Sequence, residues 1–460
     1  MKGMTLENIA IACGGDLYLC NKDVDFSGKE AVSVVIDSRK IEKDGIFFAT
    51  KGAKVDGHDY IDGVFKAGAL GVVCEKHPEN KNGNYILVDD SFVALKKLAK
   101  YYKEQLNIKT VGIIGSVGKT STKELVASVL KQRFSTCKTI GNFNNEVGVP
   151  LTVFSIRDTH EVAVIEMGIS DFGEMSRLGE IVRPDVCVMT NIGPCHLEYL
   201  HDLDGVLKAK TEVFDYMSNN GMAVLNGDDL KLSTISAVNG NKPVFYGRNE
   251  KNDVYASDIV SRAFDGTDAK IHTVKGCFDV RIPIPGEHMV DNALAATAVG
   301  LIYDMDLDDI KRGIESVETI SGRSNVINTE KYKIVDDCYN ANPKSMRAAI
   351  DLLSQVSGRK IAILGDMFEL GSEEANIHKE IGNYLMEKKI DVVLLAGSLS
   401  QNIANTVEIS SDIIMHYEKT TDELIEYISS SGILANNDTI LVKASHGMNY
   451  TKIVDFLVNL

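Results

Sequence analysis

Residues 110–134, TVGIIGSVGKTSTKELVASVLKQRF, contain the pattern that decides the fold. Thr110–Gly115 is a continuous apolar run typical of a buried strand, and the spacing that follows predicts an amphipathic helix from about Thr120 to Phe134. The turn between them contains two glycines and a Lys-Thr pair. A strand that enters a helix through such a turn is the unit of parallel sheets that are covered by helices on both faces.

The same alternation of apolar strand and amphipathic helix continues toward the carboxyl end. Val162–Glu166 is a strand candidate that precedes a helical pattern around Phe172–Ile181. Two further buried strands are predicted at Val186–Thr190 and Met222–Leu225. Continuous apolar strands separated by helices predict a parallel sheet.

The flanking segments differ from this central block. The first hundred residues mix short strand-like runs with helical patterns, and residues from about Asn249 to Pro285 alternate like hairpins before a helix at Val290–Leu301. A third block begins near Ser321, and its predicted strands are Ile334–Asp336, Lys360–Leu364, Val392–Ala396, Ile413–His416 and Thr439–Lys443. The sequence therefore predicts an α/β protein of three domains. They are a mixed α/β domain over residues 1–106, a mostly parallel P-loop domain over 107–319 and a Rossmann-like domain over 320–460.

Composition narrows the class of partners. The 460 residues carry 49 Lys+Arg against 65 Asp+Glu, a formal net charge of −16. Such an acidic chain is unsuited to coat nucleic acid or an anionic membrane, which requires a basic face. The sequence contains no apolar run of the roughly 18 residues that a helix needs to span a bilayer. The eight cysteines are scattered without a C-x-x-C pair, which indicates reduced thiols and a cytoplasmic location.

The turn Gly115-Ser116-Val117-Gly118-Lys119-Thr120 is a candidate phosphate loop. Glycines allow several backbone N–H groups to converge on phosphate oxygens, Lys119 adds positive charge, and the Thr120 hydroxyl is a potential Mg²⁺ ligand. The general P-loop carries a further glycine where this chain has Ile113, so the spacing here is G-x-x-G-K-T.

Glu166, farther along the chain, is a candidate to complete a metal site. Glu166 ends a predicted strand at the sheet edge where ligands bind, and its carboxylate is a hard oxygen ligand for Mg²⁺. His196 and Lys210 carry no such signal by themselves, since a lone histidine is usually a packing or surface residue and Lys210 lies in an ordinary helical pattern.

Seven blocks in order resemble the ATP-dependent Mur ligases, the amide-forming enzymes of peptidoglycan precursor synthesis. They are G-S-V-G-K-T, G-N-F-N-N-E-V-G-V-P (141–150), E-M-G (166–168), N-I-G-P-C-H-L (191–197), K-A-K-T-E (208–212), P-G-E-H-M-V-D-N-A-L-A-A (285–296) and S-G-R-S (321–324). The runs at 336–343 and 364–371 resemble the branch that adds D-alanyl-D-alanine to UDP-N-acetylmuramoyl-tripeptide. Asp37-Ser38-Arg39, with residues 45–49 and 56–58, resembles the uridine-diphosphate module of the last two ligases. At Lys443-Ala444-Ser445-His446 the family commonly has K-G-S, so no catalytic role is assigned to His446.

The resemblance implies a role for each matching position. ATP is expected at Gly115, Ser116, Val117, Gly118, Lys119, Thr120, Ser121, Asn292, Arg323 and Asp337, with Asn292 near adenine and Arg323 near the transferring phosphate. Two Mg²⁺ ions are expected, one at Thr120 and Glu166 and a second near His196. Lys210 is expected to be carbamylated and thereby to supply an anionic oxygen ligand to the metal. The catalytic set is Lys119, His196, Lys210 and Arg323, and the substrates are expected at Ser38, Arg39, Asn144, Asn145, Tyr339, Asn340 and Asn342.

Several alternatives remain at this stage. Within the superfamily, the ligase that adds the third residue or a folate polyglutamate ligase is possible, although the Tyr339–Pro343 run and the N-terminal module argue against both. From another class, a P-loop GTPase would carry an N-K-x-D motif, which does not occur downstream of the loop. The third residue of the tripeptide and the base for the incoming amine are left open. We expect a monomer whose domains close near residues 106 and 320, bringing Arg323 and Asn340 onto the central site.

Overall fold

The computed structural model describes residues 1–21, 26, 28–52, 55–318, 322–407 and 412–460. Ser321 of the S-G-R-S block and the predicted boundary between residues 319 and 320 lie outside these ranges. The chain divides into two compact units. The first contains Met1–Ala256, Ile271–Phe278 and Asp291–Ile314, and the second contains Ser257–Lys270, Asp279–Val290 and Glu315–Leu460.

The amino-terminal domain contains a small mixed sheet, as the sequence predicts. Its strands are β1 (Asp16–Tyr18), β2 (Val34–Val35), β3 (Ile46–Phe48), β4 (Gly71–Cys74) and β5 (Tyr85–Leu87), and its helices are α1 (Leu6–Cys13), α2 (Ile61–Lys66) and α3 (Ser91–Gln105). The strand order is β1-β5-β4-β3-β2, with β1 antiparallel to β5 and the other pairs parallel. Asp90 caps α3 through the N–H of Val93, and the helix ends before Leu106.

The central domain alternates strands and helices as predicted from residues 110–134. Its elements are β6 (Lys109–Ile114), α4 (Lys119–Leu130), β7 (Thr136–Lys138), α5 (Gly148–Ser155), β8 (Val162–Glu166), α6 (Glu174–Val182), β9 (Val186–Met189), α7 (Leu197–Leu200), α8 (Leu203–Thr211), β10 (Met222–Asn226), β11 (Val244–Gly247), β12 (Val254–Ser261), β13 (Thr267–Thr273), β14 (Gly276–Ile282), α9 (His288–Ile302) and α10 (Leu307–Glu315). The sheet order is β14-β13-β12-β11-β10-β9-β6-β8-β7. The pairs from β7 to β12 are parallel.

Burial explains the apolar runs of this sheet. Every residue of β8 and of β9 is buried, because helices cover both faces of the parallel strands. Strands β6, β8 and β9 are neighbours, so the turns after Ile114, Glu166 and Met189 open at the same edge of the sheet. This edge is where the candidate site is built.

The carboxyl-terminal domain is a second, mostly parallel sheet and confirms the predicted Rossmann-like class. Its elements are β15 (Asn325–Asn328), β16 (Lys333–Asp336), α11 (Pro343–Ser354), β17 (Lys360–Gly365), α12 (Glu374–Glu387), β18 (Val392–Ala396), α13 (Gln401–Val407), β19 (Ile414–Glu418), α14 (Thr421–Ser431), β20 (Thr439–Lys443) and α15 (Thr451–Val458). The order is β15-β16-β20-β17-β18-β19, and only β15, which the sequence pattern does not predict, pairs antiparallel among the pairs described.

Helix α3 joins the amino-terminal and central domains inside the first unit. The Tyr102 hydroxyl donates to the Ile156 carbonyl at 2.7 Å, and both groups are buried. One continuous apolar core contains Leu98 and Tyr102 of α3 together with Phe154 and Ile165 of the central domain. A rotation near residue 106 would therefore have to open this core.

The described helices include none that combines the length and the apolarity needed to cross a membrane. All eight cysteines, each of them within the described ranges, are free thiols.

Candidate active site

The phosphate loop is held by the residues that follow β9. Thr190 donates from Oγ1 to the Val117 carbonyl at 2.6 Å, while the N–H groups of Ser116 and Val117 donate to the Asn191 carbonyl and Oδ1, both at 3.1 Å. A Cβ at position 115 would lie 1.9 Å from Thr190 Oγ1, so only glycine fits there. The loop conformation is thus fixed before any phosphate binds.

Gly118 and Lys119 start helix α4. Gly118 has a φ of 83°, a left-handed conformation that glycine adopts without strain, and it has no side chain with which to cap the helix. The first N–H groups of a helix lack intrahelical partners and carry the positive end of its dipole. Lys119 Nζ folds back over the loop and donates to the carbonyls of Gly115 at 2.9 Å and Ser116 at 3.3 Å. The loop therefore presents positive charge and backbone donors together.

Glu166, at the end of β8, is brought to the loop by two polar neighbours. Its Oε1 accepts from Thr120 Oγ1 at 3.2 Å and from Asn144 Nδ2 at 2.8 Å. Its Oε2 is buried and has no hydrogen-bond partner among the described residues. The ammonium of buried Lys123 lies 3.8 Å from that oxygen. A buried carboxylate oxygen that lacks a hydrogen bond, on a side chain that also contacts a threonine hydroxyl, fits the oxygen ligands that Mg²⁺ requires.

Asn144 and Asn145 lie in the loop between β7 and α5 and differ in their contacts. Asn144 contacts Glu166 and also accepts at its carbonyl from the Gly168 N–H at 2.8 Å. Asn145 instead accepts at Oδ1 from the N–H groups of Val147 and Gly148, at 3.2 and 2.8 Å, and thereby holds the start of α5. Asn144 belongs to the carboxylate site, whereas the Asn145 side chain supports the helix beside it.

The loop from Asn191 to His196 forms a second wall of the site. Ser116 Oγ and the Gly193 backbone exchange two hydrogen bonds of 3.0 and 2.9 Å, and Cys195 Sγ lies 3.2 Å from the same hydroxyl. His196 has a φ of 51° and accepts at its carbonyl from the Leu200 N–H at 2.9 Å, which starts α7. The structure thus places the residue next to His196 against the phosphate loop.

Lys210 is a buried lysine near the end of α8, only 1% exposed. Its pKa is lowered to about 8, first because burial disfavours the ammonium and second because of the positive charge of Lys119, while Cys195 acts in the opposite direction. Lys208 on the same helix is exposed. By itself the sequence pattern predicts an exposed helical lysine at Lys210, and packing makes this residue chemically unusual.

Asn292, on α9, lies beside the phosphate loop. Its Oδ1 accepts from Thr122 Oγ1 of α4 at 3.0 Å, and the same oxygen lies 3.4 Å from the position of a Cβ built at Gly118. This places the predicted adenine-contacting residue next to the loop that is predicted to hold the phosphates.

The predicted residues of the second unit gather at the carboxyl edge of its sheet. The Arg323 guanidinium lies over the Tyr339 ring, 4.1 Å from its centroid. Asp337 accepts from the Ser324 N–H at 2.9 Å. Asn340 accepts at Oδ1 from the Ala341 N–H, and Asn342 is the N-cap of α11 in a reciprocal capping box. Arg323, Asp337 and Tyr339 are therefore adjacent.

Ser38 and Arg39, predicted to bind the uridine nucleotide, form a short helical turn in the amino-terminal domain. Asp37 caps it and accepts from Arg39 Nε and Nη2, both at 2.9 Å. These hydrogen bonds lower the pKa of Asp37 to about 2. The Arg39 side chain is 87% exposed. The turn presents a guanidinium at the surface of the domain.

Three residues at these sites were missed by sequence reasoning: Lys123, Cys195 and Lys443. Lys123 and Lys443 are fully buried lysines that contact carboxylates, and Cys195 contacts the phosphate loop. Lys123 follows the phosphate loop by one helical turn on α4, and this spacing is the signal that would have indicated it.

Comparison with known proteins extends the match over most of the chain. Residues 30–110 match the Mur ligase family catalytic domain, residues 113–300 the Mur ligase middle domain and residues 322–446 the Mur ligase glutamate ligase domain. UDP-N-acetylmuramoyl-tripeptide–D-alanyl-D-alanine ligase of Bacillus subtilis is 36% identical over 432 residues, 92% of this chain and 93% of that protein.

Two solved structures extend the likeness to three dimensions. MurF from Acinetobacter baumannii superposes with a TM-score of 0.89 at 30% identity, covering 99% of both chains. MurF ligase from Thermotoga maritima, in complex with ADP, superposes with a TM-score of 0.80 at 28% identity, covering 93% of this chain and 97% of that one. With three consecutive family domains and a relative 36% identical over nearly its whole length, the chain belongs to the Mur ligase family.

Proposed function

We propose that this chain joins D-alanyl-D-alanine to UDP-N-acetylmuramoyl-tripeptide with the conversion of ATP to ADP and phosphate, a step of peptidoglycan precursor synthesis. The observation that carries the proposal is the nearly full-length similarity to ligases of that name, at 36% identity for the Bacillus subtilis protein. The geometry of the phosphate loop and of Glu166 supports it. Family membership removes the P-loop GTPase alternative.

ATP binding is assigned to the residues around α4. The phosphates would be attracted by the N–H groups of the turn from Gly115 to Ser121 and by the helix dipole. The Lys119 ammonium would add a positive charge beside them. Asn292, whose Oδ1 accepts from Thr122 Oγ1, would contact the adenine. Asp337 and Arg323 of the second unit are assigned to ATP by the family resemblance alone.

The residues around Glu166 fit Mg²⁺. Glu166 Oε2 and Thr120 Oγ1 would hold one ion, and His196 would contribute to a second. Bound Mg²⁺ neutralises phosphate charge and thereby assists phosphoryl transfer. Asn144 and Lys123 would orient the Glu166 carboxylate, since each lies within 4 Å of one of its two oxygens.

Lys210 is proposed to carry a carbamate. Its neutral amine attacks CO₂, an N–C bond forms, and the proton released from nitrogen goes to solvent. The product is an anionic oxygen ligand at a position where an ammonium would repel a cation. The lowered pKa of about 8 supports this proposal, because the unprotonated amine is the reactive form.

The chemistry proceeds in two steps on the substrates. An oxygen of the terminal tripeptide carboxylate attacks the γ-phosphorus, and the bond to ADP breaks, which gives an acyl phosphate. The amino group of D-alanyl-D-alanine then attacks the acyl carbon, loses a proton, and phosphate leaves. Lys119 and Arg323 would stabilise charge on the transferring phosphoryl group. Closure of the domains would exclude water from the acyl phosphate, and closure near residue 106 would first have to open the core around Leu98 and Tyr102.

The remaining assignments are also proposals. Ser38 and Arg39 would hold the uridine diphosphate, while Asn144, Asn145, Tyr339, Asn340 and Asn342 would surround the reacting substrates. The support for Asn145 and Asn342 is indirect, since their side chains start α5 and α11. The domain limits 1–106, 107–319 and 320–460, the monomeric state and the cytoplasmic location belong to the same proposal.

The test is phosphate release from ATP in the presence of Mg²⁺, UDP-N-acetylmuramoyl-tripeptide and D-alanyl-D-alanine. We expect release only when both acceptor and dipeptide are present, with L-alanyl-L-alanine as the inactive control. Tripeptides ending in L-lysine and in meso-diaminopimelate are compared in parallel to identify the third residue. Release that ignores the dipeptide would contradict the proposal, as would equal activity of a Lys119→Ala variant.

A further inference from the structure

Lys443 is a fully buried lysine at the end of β20, and the proposed chemistry gives it no role. Its side chain is only 2% exposed. β20 lies between β16 and β17, so Lys443 ends a strand in the middle of the second unit's sheet. Burial of an ammonium is costly unless its charge and its three donors are satisfied.

The Lys443 ammonium is satisfied by one loop, the segment after β16. Nζ donates to Asp337 Oδ2 at 2.6 Å, to the Asn340 carbonyl at 3.0 Å and to the Asp337 carbonyl at 3.4 Å. Each contact is made with a residue of the predicted nucleotide or substrate set. A buried lysine that served only to fill the sheet would be replaceable by an apolar side chain, as at its neighbours Val442 and Ala444.

Asp337 transmits this contact to Arg323. Its second oxygen, Oδ1, accepts from the Ser324 N–H at 2.9 Å, one residue after Arg323. On the other side of Arg323, the Gly322 N–H donates to Asp336 Oδ2 at 2.7 Å, and the Gly322 carbonyl accepts from the Tyr339 N–H at 3.0 Å. The segment 322–324 is thus fixed on both sides of Arg323.

We propose that Lys443 is a positioning residue of the ligase reaction, which acts through Asp337 to fix the segment 322–324 and so to aim the Arg323 guanidinium. This inference rests on the proposed function. Lys443 neutralises Asp337, so that this carboxylate can hold the Ser324 N–H beside an anionic nucleotide without adding negative charge. Arg323 is kept at 4.1 Å from the Tyr339 ring by the same framework.

The first test compares Lys443→Met with Lys452→Met, a control in the same unit whose lysine is 56% exposed and pairs with Asp422 at the surface. Misplacement of a charge-stabilising group by about 1 Å costs on the order of 10²-fold in rate, so we expect K443M to lower kcat by about that factor. The KM for the UDP-tripeptide is expected to stay unchanged in both variants. An unchanged kcat in K443M, with an active wild type, would overturn the inference.

A second readout needs no activity. Hydrogen exchange of a peptide covering residues 322–328 is measured without substrates. We expect faster exchange in K443M than in wild type and unchanged exchange in a peptide covering β18, because the Ser324 N–H loses its fixed acceptor while the sheet core is kept. Unchanged exchange at 322–328 contradicts the inference. If the wild-type protein has no ligase activity, the proposed function is contradicted, and the hydrogen exchange of residues 322–328 can still be compared between wild type and K443M.

The third test avoids an unpaired buried carboxylate. D337N and the double variant D337N/K443M are compared, since the second carries a neutral pair. If Lys443 acts through Asp337, both variants have the same kcat. A further fall of about 10²-fold in the double variant would show that Lys443 acts by another route and would overturn the inference.

Discussion

The proposed carbamylation of Lys210 gives the most quantitative prediction. Burial and the charge of Lys119 lower the Lys210 pKa from 10.5 to about 8. At pH 7 about one tenth of the amine is then neutral, against about 0.03% for an ordinary lysine, so the reactive fraction is raised about 300-fold. We therefore expect Lys210 to take up CO₂ near neutral pH and the exposed Lys208 on the same helix not to do so.

The assay is ¹³C NMR of the protein in ¹³C-labelled bicarbonate. One carbamate signal is expected in wild type and in Lys208→Ala, and none in Lys210→Ala. The signal and the ligase activity should both fall as the pH is lowered below about 8, because protonation removes the reactive amine. Ligase activity should be lost in Lys210→Ala while the phosphate loop still binds ATP. A carbamate signal that survives in Lys210→Ala, or full activity of that variant, refutes the reasoning.

The same pKa has a consequence for stability that can be measured in CO₂-free buffer. Between about pH 8 and 10.5 the folded chain binds fewer protons at Lys210 than the unfolded chain, so the free energy of unfolding rises with pH. The full difference is about 3 kcal/mol, from 2.5 pKa units at 1.36 kcal/mol each. Wild type should therefore gain about that much more than Lys210→Met over this range. Parallel pH profiles for the two chains would contradict the lowered pKa.

Three further predictions concern single side chains. Glu166→Gln should raise the Mg²⁺ concentration needed for half-maximal activity and lower kcat on the order of 10²-fold, because an amide is a poor Mg²⁺ ligand. The control is Glu180→Gln, which alters an exposed ion pair with Lys100 and should leave kcat and the Mg²⁺ requirement unchanged. Arg323→Lys should lower kcat with little effect on unfolding, since lysine lacks the planar fork that stacks on Tyr339; wild-type kcat would contradict the assigned role. Tyr450→Phe should lower the free energy of unfolding by about 1–3 kcal/mol in urea titrations, because its buried hydroxyl bonds the backbone of β17 and β18, and an unchanged midpoint would contradict this.

The sequence predicts the elements that depend on period and turn chemistry. The alternation from Thr110 onward predicts the central sheet, and the helix expected at Thr120–Phe134 is observed at Lys119–Leu130. The pairing of Thr120 with Glu166 also follows, because neighbouring parallel strands open at one edge. β15 is not predicted, since its partly exposed residues give no apolar signal.

What the sequence does not predict depends on packing between distant segments. Lys208 and Lys210 are two residues apart on one helix, and only the fold shows that the second is buried near Lys119. Lys443 is the last residue of an apolar strand, yet its partners Asp337 and Asn340 are about a hundred residues away in the sequence. The capping role of Asn342 could have been predicted from the sequence. A proline at the first helical position and a serine two residues later are a local signal for a helix start.

The central claim is that the chain makes an amide through an acyl phosphate, and isotope transfer tests it most directly. The terminal carboxylate of UDP-N-acetylmuramoyl-tripeptide is labelled with ¹⁸O, and the phosphate released during ligation to D-alanyl-D-alanine is analysed by mass spectrometry. The account predicts that one ¹⁸O atom per turnover appears in phosphate, because the attacking carboxylate oxygen leaves with it. Phosphate that carries no label while the amide product accumulates would contradict the account.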